Sequence, residues 1–401
     1  MSPRNIFSTR KFNVRHFTLG ALNRLRRRKP VETAIFLSVF IAFFAGLAIK
    51  MTLPHMLNTF MQTAYHLLIE TVLYIMAITV MTGAISKLFV EFGVVGLMEK
   101  LLRPLMKPLY NLPGVASLGG VMTFLSDNPA IITLSKDKSF SKFFKQYQLV
   151  SLTNFGTAFG MGLVVIAFMV GRGYGSGAMV GLIGAVIGSI ISTRIMQRTT
   201  LKAYPEMIAD VPTEKLVEHK ASDNEEDEKR PSTFMRVLNS ILDGGKSGVE
   251  IGVAIIPGVL VISTIVMMIT FSAPAGGYTG GAYEGVPVLP WLADKIHYVF
   301  YYLFGFDHSE LIAFPITALG AVGAALGLVP TFDAAGLIDN NAIAVFTAMG
   351  MCWSGYLSTH TAMLDSLGFR KLIGKAIGAH TIGGLFAGIS AHWLYVLVSL
   401  I

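Results

Sequence analysis

A short polar run, Ser126-Asp127-Asn128, interrupts an otherwise apolar segment of the chain, residues 114–135. Pro129 follows at once and disfavours helix at the residue before it, while Asp and Asn side chains compete for backbone hydrogen bonds. We therefore expect the segment to break here and to expose free backbone N–H and C=O groups beside a carboxylate. Such a break could bind a cation, a proton or a polar solute. The structural alternative is that Asp127 and Asn128 only cap helix ends.

Polar residues on the later helices extend this candidate site. Asn154 and Thr157 lie three residues apart and share a helix face, which could line a solute cavity or make an interhelical hydrogen bond. Thr317 lies near the middle of a second short apolar segment, and Ser354 lies in the polar helix that follows that segment. The candidate solute-binding or ion-binding residues are therefore Ser126, Asp127, Asn128, Asn154, Thr157, Thr317 and Ser354.

Glutamates and histidines form a second rank of candidates. Glu70 opens ETVLYIMAITVMTG and Glu250 opens EIGVAIIPGVLVIS, so each begins the leading helix of its half of the chain. Histidine titrates near neutral pH, so His308, beside Glu310, and His360 could exchange protons. The simpler interpretations are that His308 and Glu310 lie at a solvated rim and that His360 lies at the membrane interface. The second-rank candidates are Glu70, Glu250, His308, Glu310 and His360.

Composition identifies the class of protein that must position these residues. Of 401 residues, 53% are hydrophobic and 14% are charged, against about 25% charged in a typical soluble chain. Mean hydropathy is +0.60, and several stretches approach the roughly 20 apolar residues needed to cross a bilayer. A carboxylate at the centre of such a span costs roughly 2.5–3.5 kcal/mol, so Asp127 should face a cavity or a partner. Composition and hydropathy therefore predict an all-α polytopic membrane protein.

The sequence favours neither nucleic-acid binding nor catalysis. The net charge of +8 comes from basic residues at helix ends and in the N-terminal arm, as in proteins that orient themselves in a membrane. Cys352 is the only cysteine, the histidines lack ligand spacing, and no HExxH occurs. No GxSxG motif follows a convincing strand. We expect no enzymatic activity, no catalytic residue, no metal centre and no cofactor.

Charge asymmetry predicts a topology with seven full spans, two re-entrant hairpins and two interfacial helices. Basic residues flank the hairpin at 114–135, whereas none flanks the hairpin at 309–329, so the first should enter from the cytoplasm and the second from outside. The interfacial helices are expected at 94–111 and 291–305. The predicted spans are 32–53, 64–87, 147–171, 174–195, 247–270, 342–362 and 375–400.

The pattern of segments occurs twice, with opposite predicted orientation. Interrupted segments at matching places of two inverted repeats are typical of secondary transporters. Repeat 1 should span 60–196, with its hairpin at 114–135, and repeat 2 should span 233–401, with its hairpin at 309–329. The remaining divisions are a basic cytoplasmic arm (1–31), one extra N-terminal transmembrane helix (32–53) and an acidic cytoplasmic linker (197–232).

Two stretches, GVASLGGVMTFLSDNPAIITL (114–134) and GVEIGVAIIPGVLVI (248–262), resemble the Gate or nucleoside-recognition domain. That domain is shared by spore maturation proteins, the ferrous-iron transporter B core and, more distantly, concentrative nucleoside transporters. The resemblance implies a solute site between the hairpin tips and the helices that follow them. This chain departs from the nucleoside transporters, which carry Gln, Thr and Glu at the first tip, because it has Ser126, Asp127 and Asn128 there.

These features predict a secondary transporter that moves a small polar solute, nucleoside-like or otherwise, or an ion, by alternating access. Coupling to H+ or Na+ is the expected energy source. The alternative is a non-transporting membrane scaffold or gating partner of another complex. Expected partners are the solute and membrane lipids, together with a homo-oligomeric copy or a second Gate-type membrane protein, and no nucleic acid. The expected location is the bacterial cytoplasmic (inner) membrane, with the N-terminus in the cytoplasm.

Overall fold

A computed structural model describes residues 14–212 and 231–400, with side chains described from residue 30 onward. The first residues of the predicted basic arm and the acidic run of the predicted linker lie outside the described residues. Within the described ranges the chain is helical, at 81% of residues, and the only backbone bridge joins Lys145 to Asp210. The all-α class predicted from the sequence is confirmed.

The first half of the described chain contains ten helices. They are α1 (Val14–Met51), α2 (Leu53–His66), α3 (Leu73–Glu91), α4 (Val94–Leu105), α5 (Ala116–Leu125), α6 (Pro129–Lys136), α7 (Lys138–Ser141), α8 (Gln146–Thr157), α9 (Gly162–Gly171) and α10 (Gly175–Ala203). A π-helical turn, Leu67–Val72, joins α2 to α3 without a gap, and another, Met106–Tyr110, extends α4.

The second half of the described chain also contains ten helices. They are α11 (Thr233–Pro257), α12 (Thr264–Thr270), α13 (Val288–Asp294), α14 (His297–Phe304), α15 (Ala313–Gly320), α16 (Val322–Leu326), α17 (Val329–Ala334), α18 (Asn340–Cys352), α19 (Tyr356–Ser366) and α20 (Ile373–Ser399). A π-helical turn, Gly258–Ser263, joins α11 to α12 directly after Pro257, whose ring removes a backbone donor from the helix.

Six helical runs among the described residues are long and apolar enough to cross a membrane. They are Pro30–Met51, Leu53–Glu91, Gln146–Gly171, Gly175–Ala203, Thr233–Thr270 and Arg370–Ser399. The segment predicted at 342–362 is the one of the seven expected spans that is not among these runs. It divides into α18 and α19 at residues 353–355, where Gly355 adopts a left-handed φ of +63°.

The interfacial helix predicted at 291–305 is also divided. Two short helices, α13 and α14, occupy this region, and the chain between them turns at Ile296, whose φ is −128°. The segment predicted at 94–111 is instead one helical stretch, α4 with its π turn. Exposed Leu97 and Leu101 on α4 give it an apolar face beside its basic residues.

The order of elements recurs along the chain. Each half has a long helix with a π turn, a pair of short helices separated by a sharp break, a helix interrupted in its middle, and a final long helix. In the first half, α8 and α9 are separated by residues 158–161, where Met161 has a φ of +54°. In the second half, α18 and α19 are separated by residues 353–355. We call these the first break and the second break.

Glycines let matching helices of the two halves approach backbone to backbone. A Cβ built on Gly188 of α10 would lie 2.5 Å from the carbonyl oxygen of Gly383 on α20, and one on Gly383 would lie 2.7 Å from that of Gly188. The same reciprocal contact joins Gly83 of α3 to Gly244 of α11. Only residues without a side chain allow helix axes to come this close. The two halves are therefore packed tightly, and the largest apolar core contains residues of both.

Candidate functional site

A cavity with a volume of about 680 Å³ lies where both halves of the described chain meet. It is bounded by two sharp turns, which we call the first tip (residues 126–128, between α5 and α6) and the second tip (residues 320–322, between α15 and α16). The second break and the side of α11 complete its wall. A volume of this size is typical of pockets that hold a small organic molecule.

The first tip forms because the sequence stops α5 and restarts a helix within three residues. Ser126 leaves the helical region with φ −124° and ψ −103°, and its hydroxyl donates to the carbonyl of Met122 at 2.6 Å. Pro129 then starts α6 at the position where a missing backbone donor has no cost. The side chain of Asp127 is thereby held at the cavity wall.

Asn128 connects the first tip to the second break. Its amide nitrogen donates to Asp127 Oδ1 at 3.0 Å and to the carbonyl oxygen of Ser354 at 3.1 Å, and it lies 3.4 Å from Ser354 Oγ. Asn128 is 5% exposed, and its Oδ1 atom has no hydrogen-bond partner among the described residues. A buried acceptor without a partner is costly, so the two hydrogen bonds of the amide nitrogen must hold the side chain in this position against that cost.

Two glycines make room for the Asn128 side chain. A Cβ on Gly160, in the first break, would lie 2.5 Å from the Asn128 amide, and one on Gly355, in the second break, would lie 2.6 Å from its nitrogen. Gly355 also has positive φ, which a residue with a side chain adopts only with strain. The tip and the two breaks are therefore built to fit each other.

The second tip is much less polar than the first. The chain becomes extended at Ala321, with φ −165° and ψ 126°, and the lining from this side is Gly320, Ala321, Val322 and Gly323. Ser263, in the π turn after α11, donates to the carbonyl of Ala324 at 2.8 Å and anchors the tip. This side of the cavity offers backbone and apolar surface, so the first tip and α11 supply most of its chemistry.

α11 contributes the second carboxylate of the cavity. Ser247, Glu250 and Ile251 lie on its lining face. Glu250 is exposed and makes no ion pair within the described residues. Its proposed counterpart Glu70 lies inside a π turn, whereas Glu250 lies eight residues before the matching turn, Gly258–Ser263. The similarity of the two sequence stretches therefore does not place the two glutamates in equivalent positions.

Three predicted site residues lie outside the cavity wall. Asn154 is fully buried in α8 and donates to Ser192 Oγ and to the carbonyl of Ala376, both at 2.9 Å. Thr157 donates to the carbonyl of Thr153 at 2.5 Å, and Thr317 donates to that of Ala313 at 2.7 Å. Shared spacing gave Asn154 and Thr157 a common face but could not show that this face points toward α10 and α20 rather than the cavity.

The other second-rank candidates are dispersed. Glu70 is exposed and lies 3.1 Å from His66 across one helical turn. His308 lines a separate surface pocket of about 150 Å³, and the neighbouring Glu310 is half-buried outside it. His360 is buried beside His380, with ring centroids 4.6 Å apart. The cavity thus gathers Ser126, Asp127, Asn128, Ser354 and Glu250 from the two ranks of candidates.

Sequence reasoning missed several lining residues. Ser247 and Ser358 both line the cavity, and Gly160 and Gly355 shape it through Asn128. The glycine after Trp353-Ser354, inside a predicted helix, was a signal for the second break, because glycine weakens helix interiors. The hydroxyls gave no such signal, since serine and threonine occur on many membrane helices.

Comparison with known proteins agrees with this architecture. Residues 68–173 match the Gate family model, described as nucleoside recognition. No curated protein matches the chain. A doubly substituted CNTnw in an outward-facing state is similar in structure, with a TM-score of 0.51 and 14% identity, covering 92% of this chain and 87% of that one.

CNTnw in an inward-facing substrate-bound state is also similar, with a TM-score of 0.50 and 14% identity, covering 91% of this chain and 86% of that one. CNTnw is a concentrative nucleoside transporter. At this level of identity the likeness concerns the fold. The chain is therefore an integral membrane protein that has the fold of the concentrative nucleoside transporters, and its residues 68–173 match the Gate family model.

Proposed function

We propose that this protein is a secondary transporter that moves a small polar solute across a membrane by alternating access. The observation that carries the proposal is the meeting of both tips with the second break around one cavity of about 680 Å³. Broken helices that meet in this way present backbone dipoles to a solute and give two bundles a shared site about which to move. The Gate match and the fold likeness support the same function.

The solute we propose is nucleoside-like in size and polarity. The cavity volume falls in the range of pockets for such molecules. Ser126, Asp127, Asn128 and Ser354 offer oxygen atoms that could meet hydroxyl or amine groups, while Ile251 and Ile255 offer an apolar surface to a ring. The first tip differs from that of nucleoside transporters, so we propose the solute class and not one nucleoside.

Coupling to H+ or Na+ fits the chemistry of the first tip. Asp127 provides a carboxylate at the cavity wall, and Ser126 and Ser354 provide hydroxyl oxygens on the same wall. Oxygen ligands of this kind suit a hard cation, and a carboxylate can instead take up a proton. Uptake driven by an imposed gradient of either ion would identify which one is used.

The membrane arrangement we propose follows the charges of the sequence. Basic residues near the N-terminus and around the first tip would face the cytoplasm of a bacterial cell, and the two halves would be inverted repeats of opposite orientation. α4, with exposed Leu101 between Lys100 and Leu102, would lie at the lipid surface. A homo-oligomer or a second Gate-type protein could cover the exposed side of α1.

Solute counterflow in proteoliposomes containing only this protein tests the proposal. Vesicles loaded with a mixture of unlabelled nucleosides should accumulate labelled nucleoside transiently. Asp127→Asn should abolish accumulation because it removes the charge at the first tip with almost no change in volume. Asp210→Asn, the same change at an exposed position far from the cavity, should leave it intact. Absence of flux for every solute tried, with folded protein in the bilayer, would favour the non-transporting scaffold.

A further inference from the structure

A separate pocket of about 250 Å³, which we call the apolar pocket, lies between α4 with its π turn, α5, the first break and α10. It shares no lining residue with the cavity described above. Its floor is aromatic, because Phe155 lies edge-on to Tyr110, with ring centroids 4.8 Å apart, and 5.6 Å from Phe159. One wall is α5, which ends at Leu125, directly before the first tip. An occupant of the apolar pocket therefore packs against the helix that leads to the tip.

The apolar pocket offers no free hydrogen-bond donor to a ligand. Ser117 and Tyr110 are its only lining residues with a polar side chain. The hydroxyl of Ser117 donates to the carbonyl of Gly114 at 2.7 Å, and that of Tyr110 donates to the carbonyl of Val186 at 3.4 Å. A dry apolar cavity of about 150 Å³ already takes up benzene. The apolar pocket therefore has the room and the surface for a hydrocarbon chain.

The mouth of the apolar pocket opens toward lipid. Leu105 and Leu109 line it and are 45% and 36% exposed. On the opposite side of the mouth, Ile183 follows the lining residue Leu182 on α10 and is 52% exposed. α10 is long and apolar enough to cross the membrane, and lipid tails are as apolar as these side chains. An acyl chain can therefore enter the pocket sideways from the bilayer.

Two basic residues stand beside this mouth. Arg194 of α10 donates to the carbonyl oxygens of Pro108 and Leu109, at 2.6 and 2.8 Å, and so lies against the π turn that follows α4. Lys107, in the same turn, is exposed and makes no hydrogen bond or ion pair within the described residues. Arg194 lies eight residues beyond the lining residue Val186, which is about 12 Å along a helix. The positive charge is therefore close to the apolar pocket but outside it, as a lipid headgroup requires.

We propose that the apolar pocket binds one anionic phospholipid, with an acyl chain inside it and the phosphate against Lys107 and Arg194. The apolar lining suits the chain, and the exposed leucines at the mouth connect it to the bilayer. Basic groups between membrane helices attract anionic headgroups. A water-soluble ligand would find no free donor in the pocket. The proposal uses the membrane location of the chain and does not depend on transport.

Lipid binding to the purified, delipidated full chain tests the proposal. Native mass spectrometry measures the dissociation constant of the first bound lipid for dioleoyl phosphatidylglycerol and for dioleoyl phosphatidylcholine, which share acyl chains and differ in charge. Phosphatidylglycerol should bind about fivefold or more tightly, the factor that corresponds to one basic residue near an anionic lipid. Lys107→Gln should remove most of this preference. Lys202→Gln, at an exposed position near the end of α10, is the matched control and should keep it.

A second pair of variants tests the place of the acyl chain. Val186→Trp fills the apolar pocket and should weaken binding of the first lipid about tenfold or more. Ile183→Trp puts the same side chain on the exposed face of α10, outside the pocket, and should not. Equal affinity for the two lipids overturns the proposal, and so does a preference that Lys107→Gln leaves unchanged. Unchanged lipid binding in folded Val186→Trp also overturns it, and if that variant does not fold, the comparison of Lys107→Gln with Lys202→Gln decides alone.

Discussion

The side-chain amide of Asn128 donates to the main-chain carbonyl of Ser354 at 3.1 Å, although 226 residues separate them in the chain. The donor is at the tip between α5 and α6, and the acceptor is at the break between α18 and α19. One side chain thus connects the most polar turn of the first half to the interrupted helix of the second. Any movement that separates these two elements must break this bond.

Replacing Asn128 should affect binding more than stability. Asn128→Ala removes the bond to Ser354 and should lower the free energy of unfolding by about 0.5–1.5 kcal/mol. It also removes a side chain that lines the cavity and joins the first tip to the second break, so we expect solute affinity to fall at least severalfold. The matched control is Asn58→Ala, which removes a similar 2.8 Å bond to the carbonyl of Gly280 away from the cavity. Equal loss of affinity in both variants would show that the effect is general destabilisation.

Gly355→Ala should destabilise the protein by more than backbone strain alone. An alanine at this position would have to adopt a positive φ, and its Cβ would lie 2.6 Å from the Asn128 amide. Gly336 has a similar φ of +68° and nothing within 4 Å of an added Cβ. Gly336→Ala therefore measures strain, which is roughly 1–3 kcal/mol. The difference between the two melting temperatures measures the contacts of the new Cβ with Asn128 and with Thr359 Oγ1, which would lie 2.5 Å away, and a zero difference would contradict the close fit described here.

Asn154→Ala should reduce stability without changing affinity. The amide bonds Ser192 and the carbonyl of Ala376 in a fully buried position, so its loss leaves buried groups unsatisfied at a cost of about 1–3 kcal/mol. No part of Asn154 lines the cavity. Melting temperature and solute dissociation constant should be measured on the same purified variant. Weaker solute binding with unchanged stability would return Asn154 to the binding site.

Glu284 should make stability depend on pH in the acidic range. Burial disfavours its charged form, but hydrogen bonds from Thr279, Gly280 and Gly281 outweigh burial and lower its pKa. Because the pKa is lower in the folded state, the stabilisation is present above the unfolded value of about 4.3. It is lost as pH falls through the folded value.

Glu284→Gln should therefore be less stable than the natural protein at pH 7, and the gap should narrow below about pH 4. Melting temperatures across pH 3–8 measure this. Glu206→Gln, at an exposed position in the 3₁₀ helix Pro205–Ile208, is the matched control and should show no such gap. A gap for Glu284→Gln that stays constant down to pH 3 would contradict the assignment.

Local chemistry explains which parts of the site could be predicted from the sequence. The break at Ser126-Asp127-Asn128 depends on Pro129 and on short polar side chains, which act within a few residues. Ser354 was found because it lies in a polar stretch of a membrane helix. Both line the cavity in the structure.

Tertiary packing determined the parts of the site that could not be predicted from the sequence. Asn154 and Thr157 share a face in any helix, but only the positions of α10 and α20 determine what that face meets. Glu250 entered the wall because α11 runs beside the first tip, which is a relation between distant segments. The second break was not predicted, since hydropathy over 342–362 cannot distinguish a continuous helix from two short ones.

Protection of a cysteine in the cavity by solute tests the central claim most directly. Ser358 is an exposed lining residue of α19, and Ser366, at the end of the same helix, lies outside the cavity. Each is changed to cysteine in a Cys352→Ala background, reconstituted, and treated with a membrane-permeable thiol reagent during counterflow. We predict that labelling blocks flux in Ser358→Cys, that solute slows this labelling, and that Ser366→Cys is labelled with neither effect. Labelling of Ser358→Cys that neither responds to solute nor changes flux would contradict the account.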